Sequence, residues 1–305
     1  MGRAILKNPV HPVHPHPSFM EIKRVGVVGC GLMGSGITQV CAQAGYPVTV
    51  REVSQSLLDK GLQSIDKFLS TGVERKKLTE EQKAQILNRI KGTTRLEDLR
   101  TCDLIIEAVV EDIHLKKEVF GTLDQVCPPE TILASNTSSL TIIEMAAATK
   151  RPDRVVGLHF FNPAPLMRLV EVVRTIATGD DVFHTAFEFV KSLGKEPVAA
   201  KDNSGFIVNF LLVPYLLGAI RALESGMASK EDIDKAMKLG CGYPMGPFEL
   251  LDFVGLDTTY KVANIFFEEY RDRLYAPPPL LKKMVLAGYL GRKSGKGFYD
   301  YGGKP

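Results

Sequence analysis

The sequence has almost no charge imbalance, few cysteines and no unbroken apolar run of membrane-spanning length, and each shortage removes a class of function. Its 305 residues carry 38 basic against 35 acidic side chains, a formal net charge of +3. So slight a surplus does not suit a nucleic-acid binder, which neutralises many phosphates with a basic face. The basic residues are spread along the chain, apart from local groups at residues 75–77 and 292–296 that better suit a small anionic ligand. The five cysteines, Cys30, Cys41, Cys102, Cys127 and Cys241, are odd in number, scattered and without a C-x-x-C. That pattern argues against a disulfide framework and for a reducing, cytoplasmic setting. Residues 206–220 are mostly apolar but fall short of a membrane span and are interrupted by Asn209, Pro214 and Gly218, so they read as a buried helix. Residues 1–19 lack any acid and the apolar core of a signal peptide, and repeat His-Pro around His11, His14 and His16. They read as an extended, mobile tail. Three histidines without a second ligand cluster make no metal site, and no metal is expected. What remains is a chain 45% hydrophobic, long enough for two domains with sizeable cores.

Residues 23–28 form a short apolar strand that runs directly into G-x-G-x-x-G at residues 29–34, and helical spacing follows from Ser35 to Ala44. In that context Gly29, Gly31 and Gly34 permit a tight turn and close approach of the backbone to a pyrophosphate, with Leu32 and Met33 in the same turn and a helix N-terminus facing the phosphates. A second strand ends in Glu52, 18 residues beyond Gly34, near the spacing expected for the acid that accepts adenosine-ribose hydroxyls. Strand, glycines, helix, strand and acid in register predict a dinucleotide site. Arg51 is the one neighbour suited to holding a 2′-phosphate instead. Cys30 fits as a small, unreactive buried thiol.

Residues 57–90 have helical spacing and are too long for a simple crossover, which predicts a projecting helical hairpin whose second arm opens on a capping box, Thr79 to Gln82. Lys67, Arg75, Lys76 and Lys77 decorate it, either as a solvated face or as an anion contact. A buried strand at residues 103–110 leads to Glu111 and a helix bearing Lys116; another, at residues 131–135, leads to Asn136, Thr137, Ser138 and Ser139. Polar groups just past the C-terminal ends of parallel strands lie where ligands bind, so Glu111 and Ser138 are site candidates. His114 and His184 read as surface residues. Two β-branched runs then flank a loop containing Pro163 and Pro165. An antiparallel hairpin centred on Pro165 sets His159 opposite Glu171 on one face. The pair is either a satisfied core histidine or a base oriented by a carboxylate. From Gly205 onward successive helices dominate, with Ser229 capping one and Gly246-Pro247 and the prolines at 277–279 breaking later ones. The expected division is a tail at 1–20, a nucleotide-binding domain at 21–202 and a helical substrate and dimerisation domain at 203–305. A strongly apolar helical domain of this kind commonly buries part of its surface against a second copy.

Together these segments, with residues 134–140, 157–163, 205–209, 244–247 and 290–299, closely resemble the 3-hydroxyacyl-CoA dehydrogenase family, and within it the short bacterial 3-hydroxybutyryl-CoA dehydrogenases. The resemblance implies a Rossmann-type α/β sheet with a helical-hairpin insertion followed by an all-α C-terminal domain. It implies reversible, NAD-dependent oxidation of an (S)-3-hydroxyacyl-CoA to the 3-ketoacyl-CoA, in fatty-acid or butanoate metabolism, by a homodimer joined through the C-terminal domain. It further implies His159 as general base, Glu171 as its orienting partner, and Ser138 and Asn209 as holders of the substrate oxygens. Glu111, Lys116, Ser138, Asn162 and Lys293 match positions near NAD, and the hairpin with Lys67 matches the CoA contact. The family usually has Arg where this chain has Phe210, and often Pro where Ser204 stands. Two other readings compete: a dehydrogenase of a non-CoA hydroxy acid, against which the residues 159–163 segment and the basic hairpin argue, and a crystallin-like structural relative, against which His159, Glu171, Ser138 and Asn209 argue together.

Overall fold

The computed structural model describes residues 20–302. The tail read from the sequence, with its three histidines, lies outside the described residues except for Met20, whose N–H donates to Thr185 Oγ1 at 3.2 Å.

Six short strands run parallel: β1 (Val25–Val28), β2 (Val48–Arg51), β3 (Ile90–Thr93), β4 (Leu104–Glu107), β5 (Ile132–Ser135) and β6 (Val155–Phe160). β7 (Leu169–Arg174) turns back antiparallel to β6, and β8 (Glu196–Lys201) runs parallel to β7. The order across the sheet is β3-β2-β1-β4-β5-β6-β7-β8. Helices α1 (Leu32–Gln43), α2 (Gln55–Glu74), α3 (Glu80–Asn88), α4 (Ile113–Val126), α5 (Ile142–Ala146) and α6 (Asp180–Ser192) accompany it. β1, β4, β5 and β6 are buried at every position, which is why they read as continuous apolar runs rather than alternating ones. One core cluster gathers Val27, Ile37, Ile106 and Leu158 and another Val28, Ile105, Phe120 and Leu133, so alternate residues of the central strands feed the two faces. The chain order reverses between β1 and β4, and there the loops after the strand ends diverge and leave a crevice.

The remaining helices, α7 (Val208–Glu224), α8 (Lys230–Cys241), α9 (Pro247–Val254), α10 (Leu256–Tyr270) and α11 (Pro279–Leu286), enclose a separate core around Leu217, Ile220, Phe248, Leu251 and Phe266. Buried carboxylates tie it together. Asp234 accepts from the N–H groups of Phe248 and Glu249 at the start of α9, and Asp252 accepts from those of Phe298 and Tyr299, stapling the end of the chain down. The whole is the expected Rossmann-type sheet with a hairpin insertion, followed by an all-α part. Among the described residues no helix is long and apolar enough to cross a membrane.

Three local expectations need correction. The helical reading through Ile90 is overturned, because α3 ends at Asn88 and residues 90–93 pair with β2. Lys91-Gly92 gives no apolar alternation there, and only backbone pairing makes it a strand. The strand expected at 103–110 stops at Glu107, where the chain turns under the glycine loop. The hairpin α2–α3 does not stand clear of the fold, since Leu58, Ile65, Leu69 and Ile86 are buried in the core and only its outer face is exposed.

Candidate active site

The glycine loop follows β1. Gly29 has φ +99°, and a Cβ there would lie 2.6 Å from the carbonyl oxygen of Ala108, while one at Gly34 would lie 1.9 Å from that of Gly29. Both glycines are therefore demanded by packing and backbone shape. Gly31 is different. A Cβ there meets nothing within 4 Å, on the wall of a cleft of about 600 Å³, so its missing side chain leaves room for a ligand to approach the backbone. It also serves as the N-cap of α1 without a side-chain cap, which leaves the terminus of the helix in the form that suits an anion. At the end of β2, Glu52 accepts from the N–H of Cys30 at 2.8 Å and from its own neighbour Val53 at 2.7 Å, which fixes the carboxylate beside the glycine turn.

The opposite wall belongs to the β6–β7 hairpin. His159 stands directly opposite Glu171, and its Nδ1 lies 2.6 Å from Glu171 Oε2. The other carboxylate oxygen accepts from the backbone N–H groups of Ile207 and Val208, both at 2.9 Å, at the start of α7. Burial opposes ionisation of Glu171, but the His159 hydrogen bond and these two N–H groups outweigh it and hold the carboxyl below its ordinary range. An ionised Glu171 fixes the tautomer: Nδ1 donates to it, and Nε2 is left as the basic nitrogen. Phe161 and Phe206 flank the imidazole with ring centroids 4.4 and 5.6 Å away.

Between these walls lies a buried polar network. Lys116, 1% exposed, places its Nζ 2.6 Å from Glu107 Oε1 and 3.3 Å from Glu111 Oε2. Glu111 Oε1 accepts from Thr137 Oγ1, from Ser139 Oγ and from the N–H groups of Ser138 and Ser139. Burial again pushes upward, and Lys116 with these hydrogen bonds brings the Glu111 carboxyl net below its ordinary range. The loop after β5 is thereby tied to the loop after β4. Asn209, on α7, donates from Nδ2 to the carbonyl of Ser138 at 3.2 Å, so the two halves of the chain meet at this point. Phe210, standing in place of the family's usual Arg, packs on Tyr270 and Tyr275 and leaves Asn209 aimed at the cleft.

The cleft gathers Gly31, Leu32, Met33, Glu111, Lys116, Ser138, His159, Asn162 and Asn209, with Glu171 behind His159. Of the other expected residues, Gly29, Gly34 and Glu52 belong to the glycine turn beside the cleft, and Lys293 and Lys67 do not line it. Lys293 places its ammonium 2.6 Å from Asp257 Oδ1 and close against Gly255, one residue beyond the cleft-lining Val254. Lys67 lies on the exposed face of α2, beside a smaller cavity rather than on the cleft. His114 and His184 are exposed, as expected. Glu107 and Asn136 were missed. Asn136 lines the cleft and its Oδ1 accepts from the N–H of Phe160, bridging strands β5 and β6 as they part. An acid inside an otherwise apolar strand was the available signal for Glu107.

Family models described as the NAD binding domain and the C-terminal domain of 3-hydroxyacyl-CoA dehydrogenase match residues 24–203 and 205–301. The chain belongs to the 3-hydroxyacyl-CoA dehydrogenase family. It is 52% identical to a 3-hydroxybutyryl-CoA dehydrogenase of Mycobacterium tuberculosis, over 92% of this chain and 99% of that one. It is 48% identical to the mitochondrial hydroxyacyl-coenzyme A dehydrogenase of Mus musculus, over 92% and 91%. Among solved structures, the (S)-3-hydroxybutyryl-CoA dehydrogenase PaaH1 of Ralstonia eutropha superposes with a TM-score of 0.90 at 43% identity, covering 93% of this chain and all of that one. For a dehydrogenase of this family the open face at Gly31, the uncapped α1 terminus and Glu52 together fit a dinucleotide.

Proposed function

We propose that this protein is an NAD-dependent dehydrogenase that interconverts an (S)-3-hydroxyacyl-CoA, four carbons long in the first instance, and its 3-ketoacyl-CoA. The observation that carries the proposal is the His159–Glu171 pair on the wall of a cleft whose other wall is a dinucleotide-type glycine loop. Gly31, Leu32, Met33 and the start of α1 would hold the pyrophosphate, Glu52 the adenosine ribose, and Glu111, Lys116 and Asn162 the nicotinamide end. Bound NAD supplies the two-electron acceptor for C3 of the substrate. His159 takes the proton of the 3-hydroxyl at Nε2, and Glu171 stabilises the imidazolium that results. Ser138 and Asn209 orient the substrate oxygens. Acid–base help of this kind is worth about 10² to 10⁴ in rate, or roughly 3 to 5 kcal/mol. Exclusion of water and fixed placement in the cleft account for the rest.

The reading extends to the whole chain. We take the boundary between the nucleotide-binding and helical domains to lie near Asp202, and the lysines of the α2–α3 hairpin to meet the CoA phosphates. The free state of all five cysteines supports a reducing compartment such as the cytoplasm. A largely apolar groove of about 640 Å³ between α7 and α8, with exposed Met227 and Leu239 on the same helical part, supports a homodimer through that face. A sedimentation mass of one chain would reject it.

Turnover of acetoacetyl-CoA with NADH is the direct test. NADH should exceed NADPH in kcat/KM by about tenfold or more, because Glu52 repels a 2′-phosphate and Arg51 is turned to the carbonyl of Thr94 at 3.3 Å. Salt should raise the KM for the thioester, since exposed lysines are screened. No turnover of any 3-ketoacyl-CoA would reject the function, and equal use of NADPH would reject the role of Glu52.

A further inference from the structure

Lys195 is a half-buried lysine that the proposed chemistry does not use. It stands between α6 and β8, and its ammonium donates to the carbonyls of Ala164 at 2.7 Å, Met167 at 2.8 Å and, at longer range, Pro165 at 3.4 Å. An ammonium has three N–H donors and no acceptor, so three converging carbonyls match it. Burial holds Lys195 below the ordinary lysine value, which agrees with partners that are dipoles rather than full charges.

What it grips is the loop between β6 and β7, the one piece of that hairpin without ladder hydrogen bonds. The loop has only a short internal turn, in which Pro163 O accepts from the N–H groups of Leu166 and Met167. On its far side it presses on α1: a Cβ added at Gly36 would lie 3.1 Å from Ala164 Cβ and 3.3 Å from Pro165 Cδ. β8 runs parallel to β7, so its first residues arrive beside this loop, and Glu196 N–H donates to Arg168 O at 2.8 Å to complete the attachment. The loop is thus held between a helix on one side and an ammonium on the other.

That position has a consequence for the ligand path. A cavity of about 70 Å³ lies between α1, the α2 residues Ser64 and Phe68, and loop residues 162–165. It shares Leu32 and Asn162 with the main cleft, so the two adjoin. The gap opens on the α2 side of the cleft at Phe68, the residue next to Lys67, and the loop is one of its walls. We propose that Lys195 is a positioning residue for the thioester substrate: by fixing the loop at residues 164–167 it sets the width of the gap through which the carrier arm leaves the cleft. The inference rests on the acyl-CoA reading above.

Lys195→Met keeps most of the stem and removes the donors. The expected result is a rise of about tenfold in the KM for acetoacetyl-CoA with kcat changed less than about twofold, because His159 and Glu171 are held by strand pairing rather than by the loop. Acetoacetyl-N-acetylcysteamine, which keeps the reacting carbons and thioester but lacks most of the arm, should give the same kcat/KM with both proteins. A lower melting temperature with unchanged KM for acetoacetyl-CoA would make Lys195 a simple fastener, and equal losses on both substrates would place its effect at the reacting end; either overturns the proposal. If Lys195→Met does not fold, Lys195→Gln retains a donor for one carbonyl and should raise KM by about threefold; no rise overturns the proposal. Wild-type protein inactive on both thioesters would overturn the acyl-CoA reading and this inference with it.

Discussion

Replacing Glu171 by Gln is expected to lower kcat for 3-hydroxyacyl-CoA oxidation by about 10²-fold or more while changing substrate KM only a few-fold. The shape is kept and the charge is lost. Two effects combine: the imidazolium formed when His159 takes a proton no longer faces a carboxylate, and an amide presenting its NH2 can hold the ring in the wrong tautomer. His159→Ala should lose at least as much, and the double variant little more than His159→Ala alone, because groups acting as one unit are not additive. Additive losses would show that Glu171 does not act through His159. Stability supplies a second readout. The Glu171 carboxyl is held below its ordinary value of 4.5, so its stabilising contribution is complete above that value and is lost as pH falls through the depressed one. The gap in melting temperature between wild type and Glu171→Gln should therefore be widest near neutrality and shrink as pH falls below 4.5 and through the depressed value. A Glu171→Gln protein that fails to fold would favour a purely structural carboxylate.

Lys116→Met is expected to cost about 3 to 5 kcal/mol, the range for breaking a buried ion pair from one side. In a chain of this size that lowers the melting temperature by on the order of 10 °C. The cost comes from what is left behind. Glu107 is fully buried, and without the ammonium it keeps only the Ser135 hydroxyl and the Val109 N–H as donors. Adding Glu107→Gln removes the stranded charge and should restore much of the loss, since a pair replaced as a whole is far less harmful than a pair broken. Thermal unfolding of the single and double variants decides it. A single variant within about 2 °C of wild type would mean that Glu107 is not left as an uncompensated buried charge and would overturn the expectation.

The fold was legible where the residue pattern and the backbone agreed. The strand, three glycines, helix and acid of the first βαβ unit appear in order from Val25 to Glu52, and a His159–Glu171 pair was compatible with an antiparallel hairpin whose midpoint, Pro165, falls in the loop. Legibility failed where the partner, not the residue, decides the outcome. β3 is a strand because β2 lies beside it, and Lys91-Gly92 carries no trace of that. Glu107 looked like part of an apolar run, and its meaning depends on Lys116 folding back over it from α4. Lys293 was carried over by motif position alone, and the pattern gave no sign that its ammonium pairs with Asp257. Lys195 gave no signal, because carbonyl cages have no side-chain signature.

One oxygen of Glu171 serves the imidazole and the other receives two main-chain N–H groups from the start of α7. The helical half thus talks to the base through its backbone, which any residue but proline supplies at those two positions. Apart from Asn209 and the residues that α7 buries in the helical core, side chains along the helix can vary, and with them the shape offered to an acyl tail, without changing what holds Glu171. Selectivity and basicity are in this sense separately inherited: a lineage can exchange one substrate for another by drifting the sequence of the helices while the chemical step stays as it was.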